Sequence, residues 1–419
     1  TAGFTITESG GSTSVSESGT TDTFTIVLDA EPASDVVLTV TSGDTGEATV
    51  TSPLTFTSGN WDTAQTVTVT GVDDNLIDGT ITSTITVAVD DANSDNDFDG
   101  VNDQTVSVTT TDDDVAGFTI AESGGSTSVD ESGTTDTFTV VLNAQPSENV
   151  VLQFVSGDTG EATVTGTITF TSGNWDTAQT VTVTGVDDNL IDGTITSTVT
   201  ASIVDAASDN DFDSVNDQTV SVTTTDDDVA GFTIAESDGS TSVAETGTTD
   251  TFTVVLNAQP DSDVVLSITS SDIGEATVTS ALTFTSGNWD TAQTVTVTGA
   301  DDNLIDGTIT STITVAVNDG SSDNNFDSVN DQTVSATTTD DDTAGFTIAE
   351  SGGSTSVNES GTTDTFTIVL NAQPAENVVF SIASSDTGEA NATTVNSPLT
   401  FTSANWDTAQ TVTVTGADD

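Results

Sequence analysis

The reactive side chains of this sequence are almost all carboxylates. Sixty-eight Asp and Glu residues stand among 419 with no Lys, Arg or His, giving a formal net charge of −68. Cys, Met and Tyr are also absent. The acids gather in three patterns. The first is Gly71-Val72-Asp73-Asp74-Asn75-Leu76-Ile77-Asp78-Gly79, and the second is Asp112-Asp113-Asp114. The third is Asp95-Asn96-Asp97-Phe98-Asp99-Gly100-Val101-Asn102-Asp103. Like charges set side by side oppose ionisation unless a cation joins them, and with no basic side chain the counter-charge must come from solution. Carboxylate and carbonyl oxygens suit hard cations, and calcium takes about six to eight of them.

In the third pattern, oxygen donors fall at alternate positions around a glycine. This spacing resembles an Asp-x-Asp-x-Asp-Gly calcium loop without the flanking helices or closing Glu of an EF-hand. It predicts Asp95, Asp97, Asp99 and Asp103 as ligands. Asp209, Asp211, Asp213 and Asp217 follow in the next copy, with Ser214 in place of the glycine, and Asp323, Asn325, Asp327 and Asp331 in the third. The first two patterns each follow a strand. Loops at one end of a sandwich converge, so these two clusters are expected to share bound metal.

Other chemistry is scarce. Without His, Lys, Cys or Tyr there is little to serve as base, nucleophile or acid, and the chain is expected not to be an enzyme. A paired-carboxylate glycosidase is formally available. Asp44-Thr45-Gly46 resembles an aspartic-protease signature, but it recurs once per unit and has Ile273 for the Thr in the third copy, which fits a β-turn. Nucleic-acid binding lacks the Lys and Arg that meet phosphate. No apolar run approaches ~18 residues, so no membrane insertion is expected in this segment.

These clusters sit in an internal repeat. Ala2-Gly3-Phe4 returns at Ala116, Ala230 and Ala344, each step 114 residues. Trp61 returns at Trp175 and Trp289 with the same step and at Trp406 with a step of 117; the three extra residues lie near Asn391 to Asn396. Gln65 to Thr84 is identical to Gln179 to Thr198. The boundaries read as 1–115, 116–229, 230–343 and 344–419. The fourth copy stops before its last strands, so the native polypeptide is expected to continue. Within a unit, Phe4/Ile6, Phe24/Ile26/Leu28, Val36–Val40, Leu54/Phe56, Val67/Val69, Ile81–Val89 and Val106/Val108 alternate with Thr. This pattern predicts seven or eight short strands and an all-β class: tandem Ig-like antiparallel β-sandwiches in a linear, elongated array. Trp61 is expected at the edge of the core. Asp112-Asp113-Asp114-Val115 runs straight into the next unit without a Gly/Ser tether.

On these residues the unit resembles the Calx-β domain, the module of sodium–calcium exchanger regulatory regions and of many large bacterial surface proteins. Val15-Ser16-Glu17-Ser18-Gly19 matches the family's opening turn, Asp73, Asp74 and Asp78 its middle acids, and Asp112 to Asp114 its closing triplet. The resemblance implies that Glu17 and these six aspartates coordinate calcium at one tip, beside the junction to the next unit. The equivalents are Glu131, Asp187, Asp188, Asp192, Asp226, Asp227 and Asp228. In the third copy they are Glu245, Asp301, Asp302, Asp306, Asp340, Asp341 and Asp342, and in the fourth Glu359, Asp418 and Asp419. The family's further acid from a middle loop has two candidates here, Asp44 and Glu47. The expected role is a calcium-stiffened stalk of an extracellular fibre or adhesin at the cell surface. A self-assembling filament with lateral contacts between copies and a ligand-binding adhesive module are the alternatives.

Overall fold

The structure, a computed structural model, describes residues 1–394 and 398–418. It is nearly all-β, with strands joined by turns and by three-residue 3-10 segments. The chain divides into two compact units, Thr1–Asp188 with Gly193–Asp226, and Asn189–Asp192 with Asp227–Asp419. Each unit holds two copies of one strand pattern.

The first copy contains β1 (Phe4–Glu8), β2 (Thr13–Ser16), β3 (Thr21–Leu28), β4 (Val36–Ser42), β5 (Ala48–Val50), β6 (Leu54–Phe56), β7 (Gln65–Gly71), β8 (Ile81–Val89) and β9 (Gln104–Thr111). Two sheets face each other, in the orders β1-β3-β7-β5 and β2-β9-β8-β4-β6. Strict alternation explains the sandwich. Phe24, Ile26 and Leu28 of β3 point inward and are buried, while Thr23 and Thr25 point out. The inner faces together bury Phe56, Leu38, Val67, Val69, Ile85, Val87 and Val108, and Trp61 packs at the margin of this core. Outward Thr suits the exposed side because its β-branch favours extended backbone.

The structure corrects the strand count and the pairing. Among the described residues each of the first three copies has nine strands, because the short β2 and β5 and their equivalents join the seven evident by alternation. The pairing is not wholly antiparallel either. β2 runs parallel to β9, with Thr13 opposite Val108 and Ser16 opposite Thr111. After β1 the chain turns through Ser9–Gly11 and crosses to the other sheet. Gly10 (φ 68°) and Gly11 (φ 84°) make this turn in left-handed conformations that glycine adopts without penalty. Asp238 takes that conformation at φ 56° in the third copy, as Asp tolerates better than most residues.

Gly71, at the end of β7, lets β2 close against it: a Cβ there would collide with the Ser16 carbonyl. Gly185, Gly299 and Gly416 meet Asp130, Ala244 and Asn358 in the same way. Gly71→Ala should therefore destabilise the first repeat by about 2 kcal/mol or more, since backbone rather than a flexible side chain must move. Calorimetry of the full chain would read this as a shifted component, and an unshifted profile would contradict the close approach.

Among the described residues, the fourth copy has a four-stranded sheet (Phe346–Glu350, Thr363–Leu370, Gln410–Gly416, Ala390–Thr394) and a two-stranded one of Val378–Phe380 and Leu399–Phe401.

Candidate metal centre

The acids of one tip are brought together by backbone contacts. The Glu17 N–H donates to the Thr111 carbonyl at 3.1 Å, placing Glu17 beside the Asp112–Asp114 triplet. The Val72 N–H donates to the Glu47 carbonyl at 2.9 Å, which ties the β5 turn to the loop that follows β7. The close approach at Gly71 completes the convergence. Two groups result: Glu17 with Asp74 and Asp114, and Glu17 with Glu47 and Asp78, the offered oxygens within 4.8 Å of one another in each. Glu17 belongs to both.

Burial makes this cluster unlike a solvated acidic surface. Glu17 is 1% exposed and Glu47 6%. One buried oxygen on each of Glu17, Glu47 and Asp114 has no hydrogen-bond partner. A buried, unpaired carboxylate is costly. Burial, followed by the charges of Asp112, Asp74, Asp78 and Glu47, pushes Glu17 up to about 7 from 4.5. Burial with neighbouring carboxylates likewise raises Glu47, Asp78 and Asp114.

The third copy, within the second unit, repeats the arrangement. Glu245, Asp340 and Asp342 form a group. Both Glu245 oxygens, and one each on Glu275 and Asp342, are buried without a partner. Burial and then Asp302 push Glu245 up to about 7. In the second copy, Glu131, Asp187, Asp188 and Asp226 belong to the first unit, and Asp192, Asp227 and Asp228 to the second.

The remaining expected ligands are placed less centrally. Asp73 and Asp113 are exposed, and act on Asp114 through their charge. Asp112 accepts from the Gly79 N–H at 2.9 Å and the Asp114 N–H at 2.7 Å, so it shapes the loops that present the others. Asp301 and Asp341 are likewise exposed. In the fourth copy Glu359 is exposed, lining open clefts with Glu389 on one side and Asp418 on the other. Asp419 lies outside the described residues.

Of the four acids expected as ligands in the Asp95–Asp103 loop, Asp95 is buried and the other three are exposed. Asp95 caps a 3-10 turn, accepting from the N–H groups of Ala33 at 2.6 Å, Ser34 at 2.9 Å and Asp97 at 3.1 Å. These backbone donors hold its pKa below the usual range. Its partners Asp97, Asp99 and Asp103 face solvent, and the inward residue is Phe98. Asp209 repeats this with Ser147, Glu148 and Asp211, and Asp323 with Ser262 and Asn325. Asp211, Asp213, Asp217, Asp327 and Asp331 are exposed. Backbone N–H groups already supply what a cation would offer the capping Asp.

Of the two middle-loop candidates, Glu47 enters the cluster, while Asp44 caps its own turn by accepting from Gly46 at 3.0 Å. Gly-Glu-Ala recurs at Glu161, Glu275 and Glu389, and that recurrence was the available signal.

No protein-family model matches the sequence, and no curated protein matches it. Solved structures similar in fold include the calcium binding domain CBD12 of CALX1.1. That match has 13% identity and TM-score 0.23, and covers 47% of this chain and 80% of that one. An I-band fragment of titin matches at 9% identity and TM-score 0.26, over 80% of this chain and 97% of that one. Domains 4 and 5 of the S-layer protein SbsC match at 17% identity and TM-score 0.23, over 53% and 97%. These likenesses are of repeating β-sandwich architecture alone.

Proposed function

We propose that the chain is a calcium-stiffened, non-catalytic repeat region of an extracellular fibre or adhesin stalk. The observation that carries this reading is the pair of buried glutamates, Glu17 and Glu47, whose orphaned oxygens face other carboxylates in a chain without one basic side chain. An all-oxygen donor set of this charge fits calcium. Glu17, Glu47, Asp74, Asp78 and Asp114 would hold it, with Glu17 shared between two positions; Glu245, Glu275, Asp302, Asp306 and Asp342 would do so in the third copy, where Asp340 accepts from the Gly307 and Asp342 N–H groups as Asp112 does in the first. The bound ion supplies positive charge where the fold has gathered only negative. Extracellular calcium modules work with dissociation constants of about 10⁻⁴–10⁻³ M, which matches a site that needs calcium outside a cell.

Among the described residues, no helix is long and apolar enough to cross a membrane. Small-angle scattering of the full chain tests the stalk: an extended rod in millimolar calcium and a more flexible particle in chelator are expected. A compact profile, or one indifferent to calcium, would overturn it.

A filament with lateral contacts is the second reading, favoured by outer sheet faces that carry no charge. Thr21, Thr23 and Thr25 lie opposite Thr70, Thr68 and Thr66. Electron microscopy separates the two readings, single thin strings supporting the stalk and ordered bundles the filament.

A further inference from the structure

The loop between Asp74 and Asp78 has a second face that metal binding does not use. In the first unit its tip reaches the next copy: the Asn75 carbonyl accepts from the Gln145 N–H at 2.6 Å, and Leu76 forms a parallel bridge with Gln145. Ile77 packs against the core containing Phe118 and Phe212. In the second unit, Asn189 accepts from the Gln259 N–H at 2.7 Å, Leu190 bridges Gln259, and Ile191 packs against the core containing Phe232 and Phe326. Asn303 and Leu304 meet Gln373 in the same manner.

One contact distinguishes these tongues. Asn325 donates its Nδ2–H to the Ile191 carbonyl at 2.9 Å. Asn325 sits at the middle of the 3-10 turn Asn324–Phe326, which Asp323 caps and Phe326 anchors in the core. The corresponding residue in the turn Asn210–Phe212 is Asp211. An ionised carboxylate only accepts hydrogen bonds, so it has nothing to give a carbonyl.

We propose that the Asn75–Ile77 segment and its equivalents are docking tongues that each join one repeat to the next. The receiving surface is the Gln145-type edge plus the 3-10 turn, and the middle residue of that turn sets how firmly the tongue is held. Asn325 locks its tongue, whereas Asp211 leaves the joint looser. The acidic loop that the sequence suggested as a metal site is thus part of a repeat-recognition surface, and its partner is another repeat of this chain type. Each tongue adds one backbone bridge, and Ile77 and Ile191 each add an apolar plug, so a joint is directional: the β7-following loop of one repeat enters the opposite end of its successor. The assignment stands on tongue contacts and needs no ion.

Hydrogen exchange on the full chain, in constant millimolar calcium, tests it through single amides. The Gln145 N–H and Gln259 N–H donate only into their tongues, while the Leu256 N–H donates to the Trp289 carbonyl inside its own repeat. Asp211→Asn should slow Gln145 exchange by about fivefold, the effect of one added hydrogen bond. Asn325→Asp should speed Gln259 exchange by at least about that factor and leave Leu256 unchanged. Unchanged Gln145 exchange in Asp211→Asn overturns the proposal. So does equal acceleration of Gln259 and Leu256 in Asn325→Asp, which would mean the whole repeat had loosened.

Discussion

Stripping calcium from the full chain with a chelator is expected to lower its main thermal transition by about 20 °C. Two carboxylate groups share Glu17 in the first repeat, which gives two ions to each complete repeat on the proposed reading. An ion that binds only the folded state contributes about 2.7 kcal/mol at a hundredfold excess over its dissociation constant, so two contribute about 5. For a domain of this size each kcal/mol moves the transition by about 4 °C. Self-repulsion among 68 uncompensated carboxylates acts in the same direction once the ions leave. Calorimetry in about 10 mM calcium, a hundredfold excess over a dissociation constant of about 10⁻⁴ M, and then in chelator makes the comparison. A transition that does not move would leave the acidic tip as mere solvated surface and would remove calcium from the functional reading.

Replacing Glu17 and Glu245 with Gln should produce effects of opposite sign in the two conditions. With calcium present, the double variant loses a shared ligand in two repeats and should melt lower than the parent. In chelator it should melt higher at pH 8, because the parent then carries a buried, uncompensated charge at each position. The pH dependence follows from the raised pKa. Both glutamates are pushed up to about 7 from 4.5, so the folded state holds its proton more tightly than the unfolded one. In chelator, the parent's stability should therefore be highest below about pH 4.5 as far as these groups decide it. It should fall as pH rises through about 7, by roughly 3 kcal/mol per glutamate. The Gln variant lacks these titrations and should lose less over that window. A parent whose chelated stability is flat between pH 5 and 8, or a variant that melts lower in chelator as well, would show that these side chains are not strained by their charge.

Much of the fold is legible in the residues. Inward Phe24, Ile26 and Leu28 between outward threonines specify β3, and the same alternation marks six other strands of the unit. β2 and β5 are hidden because Thr13–Ser16 and Ala48–Val50 are too short to establish a period. The site was legible in part. Asp74, Asp78, Asp114 and Glu17 announce themselves as recurrent acids, but Asp112 and Asp95 have the same chemistry and different work. Both spend their oxygens on backbone N–H groups, and that assignment depends on where distant loops end up. Spacing alone makes Asp95, Asp97 and Asp99 look like ligands around one ion. The turn they build instead points Phe98 inward, caps itself with Asp95 and leaves Asp97 and Asp99 in solvent.

The sequence by itself determined that the protein is an array of acidic β-repeats whose charge must be met from solution, because composition and periodicity are properties of the chain alone. Only the tertiary structure decided which acids bear that charge in a buried place. Glu17 and Asp99 are both acids of recurrent motifs, yet Glu17 is buried and Asp99 exposed. The difference is β9: its Val108–Thr111 backbone pairs with β2, and its Thr111 carbonyl accepts from the Glu17 N–H. A buried carboxylate, and hence a reason to bind a cation, exists only where a segment some ninety residues later (Glu17 to Thr111) returns to close over it.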